Sequence, residues 1–140
     1  REQWAEADSL GYFTKDVRTG KSYDMPWPWG GNCGVVDFTI PEVADWWGEY
    51  QQKPLDDGAA GFWTDMGEPA WSNEESTDRL FMQHHLGMHD EIHNVYGLTW
   101  DKVVKEQFEK RNPDKRVFQM TRAAYAGLQR YTFGCPVEAV

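Results

Sequence analysis

The spacing of apolar positions changes repeatedly along the chain. Near the start, Trp4, Ala7 and Leu10 fall three apart and Gly11 stands where a helix commonly stops, so residues 1–10 read as a helix. Tyr12–Lys15 and Lys21–Met25 flank a polar turn containing Gly20 and predict a small hairpin. The Pro-, Trp- and Gly-rich stretch Met25–Gly34 cannot be regular helix. Val35–Phe38 is a short buried-strand run, after which Thr39 and Glu42 have capping-box spacing with Pro41 in the first turn. Val43, Trp46, Trp47 and Tyr50 recur at i, i+3, i+4 and i+7, the apolar face of a helix predicted to end before Pro54. Gly61–Met66 is a second strand run containing Asp65 at its end. The polar stretch 67–93 exceeds an ordinary connection, which marks it as a functional loop. Thr99 is the predicted cap of a third helix, with Trp100, Val103, Val104 and Phe108 on one face, Glu106 and Lys110 paired at i,i+4, and Asn112-Pro113 as its stop. Arg116–Met120 is a third strand, followed by Thr121-Arg122.

Strand, helix, strand, helix, strand is a βαβαβ series and implies parallel pairing. Neither Gly-x-Gly-x-x-Gly nor Gly-Lys-Ser/Thr occurs, so nucleotide-binding versions of a doubly wound sheet are disfavoured. At the strand ends stand Asp37, then Asp65 with Glu68, then Arg122. Charged groups at the carboxyl ends of successive parallel strands suit the active face of a (β/α)8 barrel. The expected fold class is therefore α/β, a partial (β/α)8 TIM barrel with about three barrel strands, intervening helices and one long βα loop.

Composition narrows the function. Trp is over-represented at 8 of 140 residues, and aromatic residues make up 15%, which excludes a disordered chain. With 14 basic against 23 acidic residues the formal charge is −9, which disfavours nucleic acid as a partner. No apolar run approaches the roughly 20 residues of a bilayer span, and no signal-peptide pattern opens the chain, so no membrane partner is expected and the compartment stays open. Cys33 and Cys135 form neither a disulfide framework nor a Cys-x-x-Cys motif. His84, His85, His89 and His93 raise a zinc site as one alternative, but His-Asp-Glu-Ile-His is not His-Glu-x-x-His and no third ligand is indicated; no metal or cofactor is expected.

In Gly61-Phe62-Trp63-Thr64-Asp65-Met66-Gly67-Glu68-Pro69, Trp63 lies on the same strand face as Asp65. An aromatic plate beside a carboxylate suits a sugar, whose apolar face stacks while the acid meets its reactive carbon. This string resembles the strand-borne nucleophile motif W-x-D-M-N-E-P of glycoside hydrolase family 31, which includes α-glucosidases, α-xylosidases and α-galactosidases. Four further strings agree in the family's order: Trp29-Gly30-Gly31; Asp37-Phe38-Thr39 with Pro41 and Trp46-Trp47; His93-Asn94-Val95-Tyr96-Gly97; and Arg116-Val117-Phe118-Gln119-Met120-Thr121-Arg122, running into Gly127, Arg130 and Tyr131.

The resemblance implies hydrolysis of terminal α-glycosidic bonds by a retaining double displacement, with Asp65 as nucleophile and an oligosaccharide or α-glycoside as substrate. It also implies that Arg122 binds a sugar hydroxyl and that Trp29, Trp63 and Met66 line the first subsite. Independently of the family, a cation at Arg122 near Asp65 would keep that carboxyl ionised. Gly67 stands where the family usually has Asn, and so does Ile40 before Pro41. After Gln129-Arg130-Tyr131 the family continues to W-x-G-D, whose Asp is the acid/base; here register puts Cys135 at the Trp and Glu138 at the Asp, making Glu138 the candidate counterpart. The expected organisation is residues 1–134 as the central part of a glycosidase barrel and 135–140 as a divergent or truncated tail. Since a whole barrel takes about 250 residues, the isolated chain is expected to be an incomplete portion of the enzyme with little activity. The alternative is a non-catalytic carbohydrate-binding protein with a Trp-lined cleft. Sugar identity, a lyase outcome in place of hydrolysis, and oligomeric state are left open.

Overall fold

The computed structural model describes residues 2–27, 31–69 and 78–134. In chain order the elements are α1 (Glu2–Leu10), β1 (Lys15–Asp16), β2 (Asp24–Pro26), β3 (Asn32–Gly34), α2 (Val43–Asp56), β4 (Gly61–Thr64), a 3-10 turn (Asp78–Phe81), β5 (Met82–His84), β6 (Gly87–Met88), α3 (His89–Arg111), β7 (Phe118–Thr121), a second 3-10 turn (Leu128–Arg130) and β8 (Phe133–Gly134). The chain divides into two compact units, Arg1–Val43 with Pro69–His93, and Ala44–Glu68 with Asn94–Val140. No described helix is long and apolar enough to cross a membrane.

In the first unit, α1 ends as its sequence predicts. Gly11 takes φ 72°, the N–H of Gly11 reaches the Asp8 carbonyl, and that of Tyr12 reaches the Ala7 carbonyl, which is the Schellman pattern. The predicted hairpin also forms, with Lys15 bridged to Ser22 and the N–H of Tyr23 on the Thr14 carbonyl at 2.8 Å. Met25–Gly34, excluded from helix, closes instead into the antiparallel β2–β3 pair. That hairpin turns the chain back, so Val36 bridges antiparallel to Phe13 and the N–H of Asp37 meets the Tyr12 carbonyl at 2.9 Å. Val35–Phe38 is therefore not the parallel strand its apolar run suggested. Gly34 lies against the Phe13 ring, 2.7 Å from where a Cβ would stand, so only glycine permits the approach. Phe13, Tyr23, Met25, Val35, Phe38 and Met82 are buried and make the core of this unit.

The stretch 67–93, expected as a polar loop, holds in its described part the 3-10 turn, the β5–β6 hairpin and the first residues of α3. That helix begins ten positions before Thr99. Asp90 and Glu91 suit the positive end of its dipole, and the Glu91 carboxylate accepts the Met88 N–H at 3.1 Å, the reciprocal half of a capping box. Thr99 caps nothing; its hydroxyl donates to the Val95 carbonyl one turn back at 2.8 Å.

In the second unit, β4 pairs with β7 in parallel, Trp63 opposite Met120 and Thr64 opposite Thr121, and β8 adds a third parallel strand beside β7. Helices α2 and α3 meet through Gln51, whose amide donates to the Val104 carbonyl at 2.8 Å, and through Trp47 and Trp100, edge to face at 5.7 Å. Gly48 gives room for this crossing, since a Cβ there would lie 2.4 Å from the Gln107 amide oxygen. The predicted start and end of α2 both shift. Thr39 donates its hydroxyl to Asp37 at 2.6 Å rather than capping, and the helix runs on through Pro54 to Asp56. Pro54 lies in the last turn, where its carbonyl accepts the Ala59 N–H at 2.9 Å in a second Schellman closure around Gly58 at φ 102°.

A Cβ at Gly58 would meet nothing within 4 Å, so substitution there isolates the backbone conformation. Gly58→Ala is expected to destabilise by about 1 kcal/mol, the left-handed penalty of an L side chain. Urea denaturation reads it, and an unchanged midpoint would contradict the assignment.

Candidate active site

Two strand ends build the site. Along β4 and β7 side chains alternate, so Thr64, Gln119 and Thr121 are buried on one face while Trp63 and Phe118, on the other, are 54% and 56% exposed. Asp65 and Arg122 follow directly on the last paired residues, Thr64 and Thr121, and thus continue the open face. The N–H of Arg122 donates to the Thr64 carbonyl at 3.2 Å, extending the ladder one step beyond the strands.

Asp65 Oδ1 takes the N–H of Met66 at 2.9 Å and lies 3.3 Å from Nη1 of Arg122. No hydrogen bond engages Oδ2 among the described residues. Arg122 in turn forks onto Glu68, with Nε to Oε1 at 3.0 Å and Nη2 to Oε2 at 2.8 Å. Hydrogen bonding to Glu68 above all, with the charges of Glu68 and Asp65, raises the Arg122 pKa further, so the guanidinium stays charged. One cation thus faces two acids, and its bidentate bond goes to Glu68. Met66 turns the chain at φ 63°, the sole positive-φ residue other than glycine among the described residues. Strain of this kind concentrates where surrounding structure must hold a side chain in a required place.

Of the residues predicted from sequence, Asp65, Arg122, Trp63 and Met66 fall in this one cluster. Trp29 and Glu138 lie outside the described residues. Glu68 was visible only as a strand-end acid, and its fork with Arg122 could not be read from spacing. Asp101 was missed altogether. It sits at 0% exposure on α3 beneath the strand ends, accepting from Thr64 Oγ1 at 2.5 Å and Gln119 Nε2 at 2.9 Å. Burial pushes its carboxyl up to about 6, against the hydrogen bonds from Thr64 and Gln119.

The histidines do not assemble as a zinc site: among the described residues no group of three or more His, Cys, Asp or Glu is placed to hold a metal. In the first unit, His84 Nε2 and His89 Nδ1 instead share a hydrogen bond at 2.9 Å between stacked rings, and His93 packs edge-on against His89. Asp37 lies 3.4 Å from His84 Nδ1 and accepts the His85 N–H at 2.6 Å, so this strand-end acid is occupied in fixing its own loop.

The profile of the glycosyl hydrolases family 31 TIM-barrel domain matches residues 1–134. The chain belongs to glycosyl hydrolase family 31. Within the family it is 83% identical to a Flavobacterium johnsoniae dextranase solved with glucose, at a TM-score of 0.90, covering 95% of this chain and 16% of that one. A mutant of that dextranase, solved with isomaltotriose, is 82% identical at the same TM-score and the same coverage. Alpha-glucosidase 2 of Bacillus thermoamyloliquefaciens is 36% identical over 124 residues, which are 86% of this chain and 16% of the relative. The chain thus spans about a sixth of the length of these relatives.

The histidine pair has a titration consequence. Burial first, then the neighbouring His84, His93 and Arg79, depress the His89 pKa from 6.5 to about 3. The unfolded chain therefore binds this proton at a pH where the folded chain does not, so the stability tied to His89 is complete above pH 6.5 and is lost as pH falls toward 3. Amide-exchange protection at β5 and the start of α3 is expected to decline across that window, and His89→Phe is expected to flatten the decline. An equally steep decline in the variant would show that another group titrates.

Proposed function

We propose that the protein containing this chain is a retaining α-glycosidase of family 31 acting on α-linked glucosyl oligosaccharides, with Asp65 as its nucleophile. The observation that carries this reading is the state of Asp65: one oxygen is anchored by the Met66 N–H and Arg122, and the other, on the open face of the sheet that also carries Trp63, has no partner among the described residues. Oδ2 is then the attacking atom. It adds to the anomeric carbon as the aglycone departs, giving a glycosyl ester that water hydrolyses in a second displacement. Arg122 holds Oδ1 of Asp65 through Nη1 alone, because its fork is committed to Glu68. Trp63 offers the apolar plate for the pyranose beside Met66, and the family motif makes Trp29 a further candidate for sugar contact. Glu138 is the candidate for the acid/base that protonates the leaving oxygen. The sheet β4–β7–β8 with α2 and α3 is read as part of a (β/α)8 barrel, the site lying at the carboxyl ends of its parallel strands. Identity of 83% with a dextranase, and that enzyme's complexes with glucose and isomaltotriose, favour isomalto-type α-glucans as substrates.

A 5-fluoro-α-glucosyl fluoride, which slows the second displacement, is expected to leave one glucosyl adduct on Asp65, found by peptide mass mapping. Asp65→Asn is expected to abolish the adduct and to lower kcat at least about a thousandfold. A protein that binds isomaltotriose yet takes no adduct would instead be the carbohydrate-binding module that the Trp-lined cleft also permits. For Glu138→Gln, turnover of an isomaltooligosaccharide should fall about 10² to 10⁴-fold while α-glucosyl fluoride, whose leaving group needs no proton, is spared. Equal loss on both substrates would remove Glu138 from the acid/base role.

A further inference from the structure

Asp101 takes no part in the mechanism above, yet it is the one acid enclosed directly behind the site, at 0% exposure on α3. Its Oδ1 receives two donors from neighbouring strands, the Thr64 hydroxyl of β4 at 2.5 Å and the Gln119 amide of β7 at 2.9 Å. Its Oδ2 is buried with no donor in hydrogen-bonding geometry among the described residues. Holding a helix on a sheet does not call for such a group, because an apolar side chain of similar volume would do so without the desolvation cost. A single oxygen accepting from both strands does something an apolar residue cannot: it ties Thr64, the last residue of β4, diagonally to Gln119, two residues before the end of β7, and so fixes the relative position of the strands near their ends. Thr64 immediately precedes Asp65, and its carbonyl accepts both the Thr121 hydroxyl at 3.1 Å and the Arg122 N–H at 3.2 Å.

We propose that Asp101 is a positioning residue for the Asp65–Arg122 pair, acting through Thr64 and Gln119 from the far face of the sheet. This rests on the assignment of Asp65 as nucleophile. In-line attack depends steeply on the place of Oδ2, whereas stacking on Trp63 tolerates small displacements. Loss of the clamp therefore slows chemistry more than it weakens binding.

The test compares variants in the enzyme containing this chain, with active sites counted by the 5-fluoro-glucosyl adduct so that misfolded protein is excluded. Asp101→Leu is expected to lower kcat per labelled site at least about tenfold, with KM changed less than about twofold and slower adduct formation. Asp101→Asn retains Oδ1 as an acceptor for both donors and should stay within about threefold of wild type. If the Leu variant yields no folded protein, Thr64→Val, which removes the strand's hydroxyl donor and keeps its shape, should show the same fall in kcat. Wild-type kcat per labelled site in Asp101→Leu or Thr64→Val, with only yield or Tm reduced, would overturn the proposal and leave Asp101 purely structural. An Asn variant as impaired as the Leu variant would overturn it too, because the retained acceptor would then be irrelevant. Absence of an adduct on Asp65 in the wild-type enzyme marks a different failure, that of the nucleophile assignment on which this proposal stands.

Discussion

Thr64 and Thr121 face each other on the last rung of the parallel β4–β7 pair, and the geometry of the site follows from that rung. Asp65 and Arg122 lie far apart in sequence. They come within 3.3 Å because each is the first residue beyond its strand and both strands end level. Parallel register is what makes this possible: in an antiparallel pair the residues after two strand ends lie at opposite edges of the sheet. The rung is then tied crosswise by the threonine hydroxyls and from behind by Asp101, so the open face carries the charged groups while the buried face holds them in place.

The electrostatics of the open face depend on an unequal division of one guanidinium. Had Arg122 forked onto Asp65, the carboxylate would be well anchored but blunted, with both oxygens engaged. Glu68 takes the fork instead, through Nε and Nη2, and leaves Asp65 a single contact from Nη1. Glu68, three residues beyond Asp65, reaches the same guanidinium past Met66, whose left-handed backbone costs an L residue energy. The strained residue thus lies between the two acids that share one cation.

Much of this was legible in the sequence, and the failures have identifiable causes. The strands bearing Asp65 and Arg122 were readable because each is a short apolar run ending in a charge. The ends of α1 and α2 each carry a glycine in left-handed geometry, which the sequence suggests for Gly11, whereas at the end of α2 Pro54 reads as the stop and the helix runs on to Asp56. Val35–Phe38 looked the same as a barrel strand but pairs antiparallel with the chain around Phe13, because an apolar run does not encode the direction of its partner. The true start of α3 was hidden by Thr99, which reads as a cap. Asp101 was invisible for a simpler reason. On a helix an acid between Trp100 and Lys102 reads as solvated, and only the tertiary structure reveals that its position faces the sheet.

Gly97 and Gly67 share one crowded point behind the charged pair. A glycine within a helix costs about 1 kcal/mol relative to alanine, so its presence in α3 needs a packing reason. A Cβ at Gly97 would stand 2.9 Å from the Cβ of Ala123, and one at Gly67 would stand 3.1 Å from the same atom and 3.3 Å from Cα of Gly97. Helix α3, the turn after Asp65 and the turn after Arg122 therefore meet at a point where two of the three contributing residues lack side chains and the third has only a methyl. A side chain at position 67 would require Ala123, the residue next to Arg122, to give way slightly. Small residues at 67, 97 and 123 are consequently one feature rather than three: they let the helix that carries Asp101 approach the segments that carry the charged pair.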